Sequence, residues 1–178
     1  VLVWKLRQSP KVKEIFCAPG NGGMDKEAKC VNIEADDVQG LCDFAFKNKI
    51  DLTVVGPEGP LVKGIVDEFQ RKDLKIFGPS QKAAQLEGSK VFAKEFMKRH
   101  NIPTADSQSF DNIGKAKAYL GKKTFPVVIK ADGLAAGKGV VICKDLDEAQ
   151  AVLDQMMSEK IFKAAGEKVV IEDCLEGE

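Results

Sequence analysis

The sequence predicts an α/β protein in two parts. An open parallel α/β domain over residues 1–87 precedes a second domain that opens with a helix and is built on a β-hairpin. Three observations predict this. Short β-branched runs alternate with helical patterns through the first half of the chain. Glycine and proline turns close three of the expected strands, at Pro19-Gly20-Asn21, Gly56-Pro57-Glu58 and Gly78-Pro79-Ser80. In open parallel sheets ligands gather beyond the carboxyl ends of the strands, so three such loops make a binding edge. In the second half, Val127-Val-Ile129 and Val140-Val-Ile142 flank a loop of glycine, alanine and lysine. Valine and isoleucine suit a pleated, largely buried backbone, and runs this short suit strands.

Taken in order, residues 1–3 are expected as a strand that enters a helix at 4–8 directly. A connection of that kind normally takes at least two residues, so the Val3–Trp4 junction points to a skipped loop. Strands are expected at 12–17, 30–33, 52–55 and 75–77. Asp36 or Asp37 can cap a helix to about Lys47, with Val38, Leu41, Cys42, Ala45 and Phe46 on its apolar face. A second amphipathic helix follows Pro60 and carries Leu61, Ile65, Val66 and Phe69. Ser80 can cap a helix to Leu86, and Gly88-Ser89 opens another to about His100, stopped by Asn101-Ile102-Pro103. A domain boundary is placed there, near 87–103. Beyond it come a strand at 107–110, a helix at 112–120 and the hairpin. A helix to Met157 follows, capped by Asp145 with Glu148 three residues on. A short helical piece at 161–165 and a strand at 168–173 complete the chain.

Composition bounds the function. The 178 residues are 44% hydrophobic and 30% charged, the balance of a globular protein. Twenty-seven basic and twenty-seven acidic residues cancel, so no global field draws in nucleic acid or an anionic membrane. No apolar run nears the roughly 20 residues that span a bilayer, and no signal peptide opens the chain. Five cysteines, none close to another in sequence, argue against a disulfide framework and for buried, reduced thiols. The one histidine, His100, reads as a helix C-terminal residue.

The hairpin loop carries the chemistry. Gly133, Gly137 and Gly139 let the backbone approach a ligand, and Lys138 and Lys130 add ammonium groups. Backbone amides that cradle oxygens, with lysines that neutralise them, suit a polyphosphate. The loop is not a Walker loop, because its spacing is shorter and the chain continues as a strand. Lys130 ends a buried strand, where a charge needs a partner; a phosphate would serve, and so would snorkelling to solvent.

The stretches Val54-Val-Gly-Pro-Glu58, Ile76-Phe-Gly-Pro-Ser80, Ala83-Ala-Gln-Leu-Glu-Gly-Ser-Lys90 and Phe92-Ala-Lys-Glu-Phe-Met97 resemble the glycinamide ribonucleotide synthetase family of ATP-grasp ligases. Lys130-Ala-Asp-Gly-Leu-Ala-Ala-Gly-Lys-Gly-Val140, the most specific stretch, and Val170-Ile-Glu-Asp-Cys-Leu-Glu-Gly177 complete the resemblance. It implies a Rossmann-like, pre-ATP-grasp substrate domain at 1–87. It also implies the start of an ATP-grasp domain at 88–178, with a linker helix at 88–103 and a small lobe at 104–178 cut short at its end. The implied reaction joins glycine to 5-phosphoribosylamine through glycyl phosphate, with ATP split to ADP and phosphate. ATP is expected against Lys90, Lys130, Gly133, Gly137, Lys138 and Gly139. Glu172, Asp173 and Cys174 would read adenine by their backbone, with Leu175 as an apolar wall. Lys138 is the expected catalytic cation. Pro19, Gly20, Asn21, Gly56, Pro57 and Glu58 are expected on the sugar-phosphate side.

Mg²⁺ is implied, with its ligands beyond Glu178, so no metal ligand is named in this chain. The expected partners are small molecules, with neither nucleic acid nor membrane, and the protein is expected to be a cytoplasmic monomer. Two alternatives stand beside this reading: another ATP-grasp carboxylate–amine ligase, and a nucleotide-binding fragment without catalysis. Two departures from the family pattern stand out. The glycine-rich loop ending Arg-Glu-His is absent after Val3, and Gly59 stands where alanine is usual.

Overall fold

Residues 1–135, 138–159 and 161–177 are described by a computed structural model, in which the chain forms two units, Val1–Ala84 and Gln85–Glu178. In the first unit four two-residue strands pair two by two, all in parallel. β1 (Phe16–Cys17) lies beside β2 (Lys29–Cys30), and β3 (Thr53–Val54) beside β4 (Ile76–Phe77). Helix α2 (Val38–Lys47) follows β2, and α3 (Glu58–Val62) and α4 (Ile65–Arg71) follow β3. Cys42 and Ala45 of α2 meet Ile65, Val66 and Phe69 of α4 in the core of this unit. Parallel strands alternating with helices are what the sequence pattern predicted.

Four details differ. Residues 1–3 belong to a helix, α1 (Leu2–Arg7), in which the Lys5 amide donates to the Val1 carbonyl at 3.0 Å. No turn separates them from Trp4-Lys-Leu-Arg7, so the helical repeat runs through the junction. Without a strand there, the unit holds two ribbons rather than one sheet. Second, the helix after Pro60 breaks into α3 and α4 at Gly64, which is left-handed at φ +86°. Third, Phe46 is 68% exposed; it falls at the rim of an apolar arc already filled by Val38, Leu41, Cys42 and Ala45. Fourth, Cys17 and Cys30 are partners across the β1–β2 ladder. Of the five free thiols only Cys42 and Cys143 are buried.

Ser80 starts α5 (Gln81–Gly88), its hydroxyl accepting from the Ala83 amide at 3.3 Å. The second unit then holds α6 (Lys90–Arg99), β5 (Ser107–Phe110), α7 (Ile113–Leu120), β6 (Val127–Ala131), β7 (Val140–Cys143), α8 (Leu146–Leu153) and β8 (Val169–Asp173). The strands form one antiparallel sheet in the order β5-β8-β6-β7. Alternation sends Val127, Ile129, Val169 and Ile171 to one face, where Leu120 of α7 and Leu153 of α8 cover them completely. Fully burying one such side chain contributes about 1.5–3 kcal/mol. The caps lie where the side-chain chemistry put them: Asp37, Ser89, Asn112 and Asp145 accept from Gly40, Phe92, Lys115 and Glu148. His100 ends α6, its ring 4.4 Å from that of Phe96.

Candidate functional site

The same alternation sends Val128 and Lys130 of β6, Val170 and Glu172 of β8, and Val140 and Ile142 of β7 to the sheet face away from α7 and α8. At the β7 edge this face is open: Val140 is 45% and Ile142 56% exposed. Glu172, 5% exposed, is the buried charged residue among those described. A carboxylate there is tolerable only if paired. Its Oε1 pairs with Lys130, and its Oε2 with Lys94 from α6. The partner that a charge at the end of β6 requires is therefore present within the sheet. Lys94 also donates to Thr104 Oγ1 at 2.7 Å and to the Ala105 carbonyl at 3.2 Å.

The loop after β6 returns to the start of α6. Asp132 accepts from the Ser89 hydroxyl at 3.0 Å and from the Val91 amide at 3.1 Å, so a carboxylate of the chain already occupies this helix N-terminus. Lys90 Nζ donates to the Gly133 carbonyl at 2.8 Å. Gly133 has φ +100°, and a β-carbon there would lie 3.2 Å from that of Ala165. Gly139 is required for space instead: a β-carbon would lie 2.6 Å from Ala135 Cβ. Its carbonyl accepts from the Ala131 amide at 2.8 Å, which extends the ladder by one bond. Lys138 is exposed, its amide donating to the Ala135 carbonyl at 2.9 Å. Gly137 lies outside the described residues. Glu172 and Asp173 are inside the β8 ladder, where the Asp173 amide donates to Asp106 O at 3.0 Å. Cys174, half-buried, and Leu175, exposed, lie beyond it. The Asp173 carboxylate pairs with Lys123, and that hydrogen bond holds the ammonium above the usual lysine value.

In the first unit Gly56, Pro57 and Glu58 are exposed at the start of α3. Their loop and that of Gly78 leave the carboxyl ends of neighbouring strands, whereas Pro19, Gly20 and Asn21 follow β1 in the other ribbon. Gly20, at φ +78°, packs on Cys30, and the Asn21 side chain accepts from the Gly23 amide at 3.0 Å. Asp36 accounts for Gly59: a β-carbon would lie 2.8 Å from its Oδ1, and the carboxylate pairs with Lys63 at 2.9 Å.

Residues 1–87 match the family model described as phosphoribosylglycinamide synthetase, N domain. Residues 88–178 match phosphoribosylglycinamide synthetase, ATP-grasp (A) domain. The chain belongs to the phosphoribosylglycinamide synthetase family. It is 56% identical over 176 residues to phosphoribosylamine–glycine ligase of Clostridium acetobutylicum, covering 99% of this chain and 42% of that protein. A crystal structure of phosphoribosylamine–glycine ligase from Thermotoga maritima superposes with a TM-score of 0.78 at 29% identity, over 99% of this chain and 41% of the other. A biotin carboxylase from Campylobacter jejuni shares the fold at 18% identity, with a TM-score of 0.72 over 90% of this chain and 39% of its own. The chain thus spans about two-fifths of the relatives it matches. No helix among the described residues is long and apolar enough to cross a membrane.

Within the family frame, sequence reasoning assigned no role to Lys94 or Asp132. Each had a signal. Lys94 lies one helical turn after Lys90, and Asp132 directly follows the strand that ends at Ala131. What no periodicity discloses is that both meet residues about forty or more positions away.

Proposed function

We propose that the protein containing this chain is an ATP-dependent ligase that joins glycine to 5-phosphoribosylamine, giving glycinamide ribonucleotide, ADP and phosphate. The glycine carboxylate takes the terminal phosphoryl group of ATP, and the amine of phosphoribosylamine then displaces phosphate from glycyl phosphate. The observation that carries this reading is the gathering of Lys90, Lys130, Gly133 and Gly139 at one end of an open sheet face. Lys130 spends one of its three N–H donors on Glu172 and can offer the others to a phosphate. Lys90, at the start of α6 with its ammonium on the Gly133 carbonyl, and Lys138, on the loop, add positive charge that stabilises charge moving during phosphoryl transfer.

Val140, Ile142 and Leu175 supply exposed apolar surface for the base, with the backbone from Glu172 through Cys174 as its edge reader. Pro19, Gly20, Asn21, Gly56, Pro57 and Glu58 are assigned to the phosphoribosyl substrate. Mg²⁺, when bound, would neutralise phosphate oxygens. The donor set here does not fit it: Glu172 is taken by two lysines, and no three metal-ligating side chains gather among the described residues. Its coordination is assigned to no residue of this chain. The same reading makes the protein a cytoplasmic monomer.

The test is ADP release by the full-length protein. It is expected to need both glycine and phosphoribosylamine, and Lys138→Ala is expected to slow it about 10²–10³-fold with adenosine binding unchanged. ATP binding without substrate-dependent ADP release overturns the reading, and equal loss of turnover and adenosine binding removes Lys138 from it.

A further inference from the structure

Lys94 is 12% exposed at its side chain and lies behind Glu172 as seen from Lys130. Lys94 donates to Thr104 Oγ1 and the Ala105 carbonyl, and its charge lies against Glu172 Oε2 as an ion pair. All three of these contacts are with the protein itself. Lys130, by contrast, is 27% exposed and meets one acid. Two lysines on one carboxylate leave the cluster with one net positive charge, and Lys130 is the member with donors to spare.

From this geometry we infer that Lys94 is a positioning residue: it offsets the second oxygen of Glu172, so that Lys130 stays aimed along the open face and keeps its charge for an anion there. The inference rests on the reading of that face as the ATP polyphosphate site. Without Lys94, Glu172 turns wholly to Lys130, the pair becomes neutral, and the face loses its attraction for phosphate although no ligand contact has been removed. Removing Lys94 and the Glu172 charge together restores the balance.

The experiment measures ATP and adenosine affinity by calorimetry for the full-length protein that contains this chain and for its Lys94→Met, Lys94→Met/Glu172→Gln and Lys130→Met variants, with circular dichroism as the check on folding. Lys94→Met is expected to weaken ATP about tenfold, which corresponds to about 1.4 kcal/mol, and to leave adenosine unchanged. The double variant is expected to regain most of that loss. Lys94→Gln, which keeps donors for Thr104 and Ala105, takes the place of Lys94→Met should the latter not fold. Unchanged ATP affinity in the single variant overturns the inference, and so does a double variant as weak as the single one, which would put Lys94 itself on the phosphates. Lys130→Met separates the two levels. If it binds ATP as tightly as the unsubstituted chain, the polyphosphate reading of the face falls and this inference with it. If only the Lys94 variants are silent, the reading stands and the inference falls.

Discussion

Gly20 turns the chain at φ +78° with Cys17 and Cys30 against its α-carbon. A side chain there is strained by the backbone and also blocked, since a β-carbon would meet Cys30 Sγ and lie 2.9 Å from Cys30 Cβ. Gly20→Ala is therefore expected to cost about 1–3 kcal/mol in urea unfolding. Cys30→Ala in the same chain should return only the part due to Cys30 Sγ, leaving the contact with the β-carbon of residue 30 and the backbone part. The buried thiol of Cys143 makes a second case. Desolvation, helped by Glu148 and Asp145, pushes it up to about 11 from 9.0. At pH 8 its thiolate fraction is then about 100-fold below that of an unshifted thiol. Alkylation of Cys143 in the folded chain is expected to be slower than in urea by at least that factor, as read by mass spectrometry of the labelled peptide. Residue types disclosed that Gly20 sits in a turn, but not that a second cysteine closes over it, because that contact crosses a ladder.

Helix ends and the hairpin were the most legible elements. A short polar side chain before an apolar repeat has one local use, and Asp37, Ser89, Asn112 and Asp145 all serve it. The two β-branched runs pair as β6 and β7 because the eight residues between Ala131 and Val140 bring them side by side. The break at Gly64 was not legible, since glycine inside a helical pattern is usually tolerated; here Gln81 packs on it. β8 is tied to its surroundings by Lys123 and Asp173, and the tie has a pH signature. The Asp173 hydrogen bond raises the Lys123 value above 10.5 in the folded chain. A raised folded value means that the stabilisation is whole below the unfolded value and is lost as pH rises through the folded one. Urea midpoints are expected to fall above about pH 10.5 by more in the unsubstituted chain than in Lys123→Met. Parallel curves would remove the tie.

At the scale of the molecule, α/β alternation made the first unit readable, while the division into two ribbons depended on residues 1–3 being helical. In the second unit the strands were legible and their order was not. β5 and β6 are separated in the sheet by β8, a pairing set by long-range burial rather than by any local pattern. A chain ended at residue 168 is accordingly expected to lose hydrogen-exchange protection in β5, α7, β6 and β7 and to keep it in α2 and α4; protection retained in β6 would contradict the sheet order. The same order bears on how the protein is made. β8 leaves the ribosome after β5, β6 and β7 and yet holds a central place among them, with Ile171 in the core and Glu172 between two lysines. While the first unit can settle as it emerges, β5 and the hairpin must wait, their edges unpaired, for five residues synthesised some sixty positions after Phe110.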